Sequence, residues 1–568
     1  MSYFSDCFAA GYACLSAWAD LLDVINVYPV TDGDTGTNLR ISLAPLHNGI
    51  ENGRATSSLL ARCATGNSGN IAAAFFQEFC QAEDFPDLAA KAAAGRDKAW
   101  QAVARPCSGT MLTLFDRFAS TLASITRQEH LYGPLSIALQ DTVHASSEAL
   151  PELKEAGVVD SGALAMYLFF DGFFRNLTGQ NNQPASIVDI FDGKLAINDS
   201  FQPTSSSCYC VDLTLQANDQ QITRKSITDM GQSVVMMENE STLKVHLHTP
   251  DPDGLKDQLN THGDIVQWSS EKISQSKRVQ PAGTGTKTAL HIMTDGAGSI
   301  SRKTAGDYGI TLLDSYITEG DNSRPESLCT PDQIYPLMRK GIKVTTAQAS
   351  TFERHQHYLS VCQRFGRSLY LCVGSGFTGN YDAVTGWKRK NDPGDLLTVL
   401  DTGTASGRLG LITLLTARQS KKGVSPAELI EFAGKKIDKC EEYVFIDDLK
   451  YLVAGGRISK AASFFGNLLN IKPVISPIAN EVRKIGIVHS RKGQLKFAMQ
   501  RLSDRFDKSS TPQILLQYTD NEIWISKTVQ NQVRDLLPGA EILITPLSLT
   551  SGVHMGPGTW SIAFASTI

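Results

Sequence analysis

The sequence predicts a multidomain protein built from an all-α domain, a small α+β domain and a C-terminal α/β half. Three observations lead there. Apolar residues recur at helical spacing through residues 1–178, polar and β-branched residues alternate within 206–273, and from 288 onward β-rich runs alternate with helical stretches. A length of 568 residues agrees with roughly four domains at about 150 residues each.

In the first part, Leu15, Trp18 and Leu22 fall on one helical stripe, with Ile25 closing it before Pro29. Residues 70–79, 89–103 and 160–174 are Ala-rich or apolar at the same period, and a helical bundle satisfies that pattern. Residues 179–207 turn to Asn, Gln, Ser, Pro and Thr, the texture of a linker. Residues 209–215 and 243–248 then alternate as strands do, and 274–287 form a second linker. Beyond it, the runs 289–293, 369–373 and 396–400 alternate with helical segments, which predicts a largely parallel sheet.

Composition narrows the function. With 53 Lys+Arg against 58 Asp+Glu the net charge is −5, which argues against a nucleic-acid or anionic-membrane surface. No apolar run reaches the ~18 residues of a membrane span, and no signal peptide is expected, because Asp6, Asp20 and Asp23 precede the first basic residue, Arg40. Eleven irregularly spaced cysteines suit a reduced, cytoplasmic chain better than a disulfide scaffold.

The strongest chemical signal is residues 26–38, NVYPVTDGDTGTN. Asp32 and Asp34, beside glycines, can converge on a hard cation with oxygen ligands, and Asn26 can add a neutral oxygen. A surface Asp-Gly turn is the plain alternative. Three more turns of small residues precede helices: 65–70 (TGNSGN), 106–112 (PCSGTML) and 157–163 (GVVDSGA). Each alone is an ordinary helix cap, but together with an acidic turn they favour a nucleotide–Mg²⁺ site, one without a Walker P-loop.

In this order the motifs resemble the kinase domain of bacterial fatty acid kinases, related to the ATP-binding subunit of dihydroxyacetone kinases, over residues 1–178. The resemblance implies an eight-helix barrel with ATP and Mg²⁺ at one end. It makes Asp32 and Asp34 metal ligands, with Asn26 where dihydroxyacetone kinases have a third Asp. Asn38, Asn67, Ser68, Gly109, Thr110, Met111 and Asp160 would hold the nucleotide. Thr65 stands where the family has Arg, and Ser108 where it has Glu.

In the middle segment Cys210, His246 and His248 are ligands of the zinc type, and alternate residues of a strand share a face. An incidental HxH pair is the plain alternative. The segment resembles the middle domain of the same kinases, which implies structural zinc on these residues, with His262 a candidate for the fourth ligand.

The C-terminal half carries hydroxyl-bearing turns at 294–299, 346–350 and 375–381, where an open α/β sheet binds ligands. Arg457, after two glycines, suits a carboxylate or phosphate, and His554 sits before a Gly-Pro-Gly turn. The stretch from Leu449 through GGRIS, Leu469-NIKP, the Thr346-x-Gln348-x-Ser350 turn and the His554 turn resembles the DegV family of fatty-acid-binding proteins over residues 288–568. That implies two subdomains enclosing an apolar tunnel, the acyl carboxylate held by Thr346 and Ser375 with Arg457 and His554 at the head group. The family's Ser-Gln-Pro-Ser reads Ala347, Gln348, Ala349, Ser350 here, and its Ser-Ser reads Gly374, Ser375.

The leading expectation is ATP-dependent phosphorylation of a fatty acid to acyl phosphate, Arg457 and His554 orienting and neutralising the carboxylate. Two alternatives are a non-catalytic lipid-binding or regulatory protein with a decayed kinase half, and a dihydroxyacetone-type small-molecule kinase. Expected partners are the fatty acid and a downstream acyltransferase; a homodimer stays open.

Overall fold

The computed structural model describes residues 3–47, 50, 52–180, 185–202, 208–239, 242–273, 290–320, 322–454 and 471–565. The chain divides into two compact units, Met1–Pro281 and Ala282–Ile568.

The first unit begins with helices α1 (Ser5–Ala17), α2 (Ala19–Val24), α3 (Thr35–Ser42), α4 (Gly53–Cys63), α5 (Gly66–Phe79), α6 (Phe85–Ala102), α7 (Met111–Ala123), α8 (Tyr132–Ala149), α9 (Pro151–Ala156) and α10 (Ser161–Leu177). The stripe expected over 15–25 is broken at Trp18, which ends α1 and precedes α2. Helix α10 is apolar almost all round and therefore central. Its Phe170 stacks on Phe118 at 3.9 Å between ring centroids, and Phe75 stacks on Phe115 at 4.1 Å, in a buried aromatic core. Gly172 makes the approach of α1 possible: a Cβ there would sit 2.7 Å from the Ala10 carbonyl oxygen.

The same unit continues into an antiparallel sheet of β1 (Tyr209–Ala217), β2 (Gln232–Asn239), β3 (Thr242–Thr249) and β4 (Gly263–Lys272), in the order β2-β3-β1-β4. Period-two alternation sorts its faces. Val211, Leu213 and Leu215 of β1 and Leu243, Val245 and Leu247 of β3 pack with Leu255 and Leu259 of the helix Pro252–Leu259. The other face carries Cys210, Asp212, Lys244, His246 and His248, and it lies on the helical domain. Lys244 Nζ donates to the carbonyls of Ala61 and Arg62 at the end of α4, and Ala104 N donates to Val234 O at 3.0 Å.

The second unit holds three sheets. β5 (His291–Asp295), β6 (Ile310–Leu313), β10 (Ser368–Cys372) and β11 (Leu397–Asp401) form a wholly parallel sheet in the order β11-β10-β5-β6. β7 (Ser315–Glu319), β8 (Asn322–Pro325) and β9 (Val344–Gln348) form an antiparallel one, β8-β7-β9. The third is ordered β14-β13-β12-β17-β15-β16, from β12 (Glu441–Phe445), β13 (Lys472–Ile478), β14 (Glu481–Val488), β15 (Gln513–Tyr518), β16 (Glu541–Pro546) and β17 (Trp560–Ala565). Only its β15–β16 pair is parallel. A largely parallel sheet therefore describes one layer of this half and not the whole. Short runs buried on both faces, such as the fully buried β17, read alike whichever way the neighbour runs. The apolar helix Ser406–Ser420 joins the layers, since its Leu409, Ile412 and Leu415 share one core with Leu371 of β10 and Leu515 of β15. Among the described residues no helix is long and apolar enough to cross a membrane.

Candidate functional site

Four helix N-termini in the first unit open onto one cavity of about 300 Å³. Thr35 begins α3, Asn67 and Ser68 lie in the first turn of α5, Thr110 caps α7 through Leu112 N, and Asp160 caps α10 through Ala163 N; all line the cavity. The positive end of each helix dipole faces the cavity, so the four together favour an anion, although several first-turn amides are already capped, Thr37 N by Asp23, Leu112 N by Thr110 and Ala163 N by Asp160. The facing wall, Thr228 and residues 231–235, comes from the middle sheet and the turn before β2.

Asp32 and Asp34 form the acidic side. Asp34 is the N-cap residue of α3, yet its side chain does not cap that helix. Asp23 does so instead, accepting Thr37 N at 3.0 Å and Thr37 Oγ1 at 2.7 Å, which leaves Asp34 facing the cavity. Burial pushes Asp32 up to about 6 and Asp34 up to about 7, the neighbouring Asp32 charge adding to the shift on Asp34. Two half-buried carboxylates beside four anion-favouring helix ends are an all-oxygen donor set that fits a hard divalent cation.

Asn26 departs from the ligand role expected for it. Its Nδ2 donates to Val30 O at 3.0 Å and to Asp32 Oδ1 at 2.6 Å, while its Oδ1 accepts from Thr35 and Ser161. The Val30 carbonyl can only accept, which fixes the amide's orientation, so Asn26 holds Asp32 in place and offers the cavity no oxygen.

Asn38 and Gly109 stand behind the lining. Asn38 hydrogen-bonds Asp34 and packs on Gly66, whose φ of +67° and lack of a side chain allow the contact: a Cβ there would sit 2.0 Å from Asn38 Nδ2. Gly109 N donates to Thr113 Oγ1 at 2.8 Å, shaping the turn that carries Thr110 and Met111. Asn67 lines the cavity, and its buried Oδ1 has no hydrogen-bond partner among the described residues. Asp160, fully enclosed and raised to about 6 by burial, also accepts the Met111 amide and so ties α7 to α10. Sequence reading missed Tyr28, Arg105 and Cys107, which line the cavity too. Among the described residues Arg105 is the single basic side chain in that lining, and it pairs with Asp229 at 3.0 Å. Its position just before the Pro106 turn was the available signal. Ser108 is exposed, and Thr65 Oγ1 donates to Asp212 Oδ2 at 3.4 Å.

Cys210, His246 and His248 come together as the strand alternation predicted. Antiparallel register sets Cys210 opposite His248 and Asp212 opposite His246. The two Nε2 atoms are 3.3 Å apart, Cys210 Sγ is 3.9 Å from His246 Nε2, and the three ligand atoms lie within 4.8 Å of one another. A tetrahedral zinc ion separates its nitrogen and sulfur ligands by roughly 3.3–3.6 Å, so the spacing fits. Burial, with His246 nearby, lowers His248 to about 4 and keeps it neutral, the form that ligates. His262 is corrected. It precedes Gly263, which pairs with Ala217 at the far end of β1, roughly 23 Å of strand from Cys210.

In the second unit Thr346 Oγ1 and His554 Nε2 share a hydrogen bond of 3.0 Å, joining β9 to the helix Leu549–Met555. Ser375 is not drawn to them by any hydrogen bond of its own: its Oγ donates to Asp401 Oδ2 at 2.6 Å and its N to Asp401 Oδ1 at 3.0 Å. Arg457 lies outside the described residues.

Comparison with known families matches three successive stretches of the chain. Residues 29–175 match the DAK2 domain, 206–279 the FakA-like middle domain of fatty acid kinase, and 289–567 the DegV family, described as uncharacterised protein. The chain joins a DAK2-type kinase-related half to a DegV domain. Similar proteins include YloV of Bacillus subtilis, 28% identical over 324 residues, covering 50% of this chain and 59% of that one. A Staphylococcus haemolyticus protein is 28% identical over 310 residues, covering 48% and 55%. The chain thus spans little more than half the length of these relatives. Among solved structures, DegV of Bacillus subtilis, a fatty acid binding protein, aligns with a TM-score of 0.45 and 19% identity over 49% of this chain and 100% of that one. A DegV family protein from Thermus thermophilus aligns with 0.45 and 22% over the same shares. The four-helix-end cavity therefore belongs to the DAK2 domain, walled by the middle domain, and the Thr346–His554 pair to the DegV domain.

Proposed function

We propose that the chain transfers the γ-phosphoryl group of ATP to a fatty acid carboxylate, with nucleotide in the DAK2 cavity and the acid in the DegV domain. The convergence of four helix N-termini on a cavity flanked by Asp32 and Asp34 carries this reading. A carboxylate oxygen attacks the γ-phosphorus, the new O–P bond forms as the bond to the β-bridging oxygen breaks, and ADP leaves. The acid is ionised near neutral pH, so no strong general base is needed.

Asp32 and Asp34 would hold Mg²⁺, which when bound supplies positive charge between the carboxylates and the phosphates. Three carboxylates against one paired Arg in the lining make the cavity hostile to free ATP and suited to the metal complex. Asn26 fixes Asp32, and the N-terminus of α5, at Asn67 and Ser68, would receive phosphate oxygens. In the DegV domain the Thr346 hydroxyl and His554 ring form a polar pair able to take a carboxylate, and the family resemblance implies a carboxylate-binding role for Arg457. An acyl phosphate hydrolyses readily, so release to a downstream acyltransferase is part of the proposal.

One observation favours a second reading. Thr65 stands where the family has Arg and faces Asp212, which leaves the phosphate side one cation poorer, as a lipid-binding protein with a decayed kinase half would be. ATP consumption with long-chain fatty acid, with Asp34→Ala as control, separates the two. Acid-dependent turnover lost in the variant supports the kinase; tight lipid binding without turnover supports the decayed half. Turnover with dihydroxyacetone alone would point to a small-molecule kinase.

A further inference from the structure

Asp212 lies outside the cavity and outside the Cys210–His246–His248 cluster, yet it touches the supports of both. On the cluster side, its Oδ1 lies 3.2 Å from His246 Nδ1. That contact leaves the other ring nitrogen, Nε2, 3.3 Å from His248 Nε2, while both ring nitrogens of His246 stand 3.9 Å from Cys210 Sγ. A carboxylate holding the far nitrogen of a ligating histidine fixes its tautomer and ring plane. On the cavity side, Asp212 accepts the backbone amide of Gly66 and the Thr65 hydroxyl, the latter at 3.4 Å. Those two residues begin α5, and Asn67 and Ser68 follow in the cavity wall. Lys244, two residues from His246 on β3, grips the preceding helix end through the carbonyls of Ala61 and Arg62. The sheet thus clamps the α4–α5 turn with an anion at the amide end and a cation at the carbonyl end, each matched to its helix dipole.

We infer that Asp212 is a positioning residue that couples metal occupancy of the Cys210–His246–His248 site to the phosphate-binding turn of α5. The inference rests on the nucleotide reading of that cavity. With the metal in place, His246 is fixed through Nε2 and Asp212 through His246, so Asp212 keeps the Gly66 amide and thereby holds Asn67 and Ser68 in place for phosphate. Without it, the buried His246 ring keeps the Asp212 contact but loses its anchor at Nε2, so Asp212 is held less firmly. Linkage makes the effect reciprocal: nucleotide must tighten the metal by the same factor.

The test uses the full chain, stripped of metal, with Zn²⁺ affinity read by competition against a chromophoric chelator, with and without saturating Mg·ADP. Wild type is expected to bind Zn²⁺ about tenfold more tightly with Mg·ADP present, within the range of ordinary coupling. Asp212→Asn should abolish that difference and weaken Zn²⁺ alone, by about 10-fold or more. Thr65→Val leaves the His246 contact intact, so Zn²⁺ affinity alone should stay at the wild-type value while the nucleotide effect shrinks. Equal coupling in wild type and Asp212→Asn overturns the inference; so does a wild-type response in Thr65→Val if Asp212→Asn does not fold. A chain that binds both Zn²⁺ and Mg·ADP without mutual effect overturns the coupling alone. A chain that binds Zn²⁺ and no Mg·ADP overturns the nucleotide reading and the coupling together.

Discussion

Buried carboxylates occur in both halves of the chain, and they are served very differently. In the DegV domain, Glu442 accepts Ser406 Oγ at 3.0 Å, Gly407 N at 3.1 Å and Arg408 N at 3.0 Å. Asp295 accepts Tyr370 Oη at 2.8 Å, Val373 N at 2.7 Å and Asn380 Nδ2 at 2.5 Å. In the DAK2 domain, Asp32 and Asp34 face each other with one amide side chain apiece, Asn26 and Asn38, and burial drives both upward. A carboxylate surrounded by donors ties elements together and needs nothing further. Two neighbouring carboxylates with few donors are expensive to bury unless a cation joins them. Chemistry and architecture can thus be told apart by counting donors, even though burial raises the pKa in every case.

The contrast can be broken most sharply at Asp34. Asp34→Ala is expected to lower magnesium-dependent ATP turnover by about a thousandfold, about 4 kcal/mol of transition-state stabilisation, while thermal melting of the metal-free protein holds or rises. Glu442→Ala should do the reverse. It strands the amides at the start of the helix Ser406–Ser420 and should cost the second unit about 4 kcal/mol in denaturant unfolding, leaving nucleotide binding alone.

Glu326 sharpens the comparison through pH. Burial raises it from 4.5 to about 7, although it accepts from the Thr550 amide and hydroxyl. A carboxyl raised in the folded state binds its proton more tightly there than in the unfolded chain. Its stabilising contribution is therefore complete below about pH 4.5 and lost as pH rises through 7. Glu326→Gln should remove that slope, worth up to about 3 kcal/mol at ~1.4 kcal/mol per unit, as read from urea midpoints between pH 5 and 8. The smallest expected effect is Thr110→Ala, about 1 kcal/mol for loss of a helix cap, measured by melting.

The sequence announced its site unevenly. The four turns were legible because caps and glycines are local: Asp34, Thr65, Thr110 and Asp160 each stand one residue before a helix. That His246 and His248 share a face was legible from strand alternation, whereas the register that sets Cys210 opposite His248 is a matter of strand pairing. What escaped depends on contacts between distant segments. Asp212 looked like any polar residue of an alternating strand until its partners on α5 and β3 were in view. Asn26 carries an oxygen and a nitrogen on one carbon, and only the Val30 carbonyl decides which faces Asp32. His262 fell to topology, since a histidine near in sequence can lie at the wrong end of a strand. Strand direction in the second unit was obscured because short apolar runs carry no sign of it.

Asp32 and Asp34 are proposed to complete a metal–nucleotide site at the four helix ends. Isothermal titration of the full chain with ADP tests it directly, with Mg²⁺ present or removed by EDTA. Binding that requires Mg²⁺ and is lost in Asp34→Ala is the predicted result; binding of equal strength without Mg²⁺, or none with it, would contradict the claim.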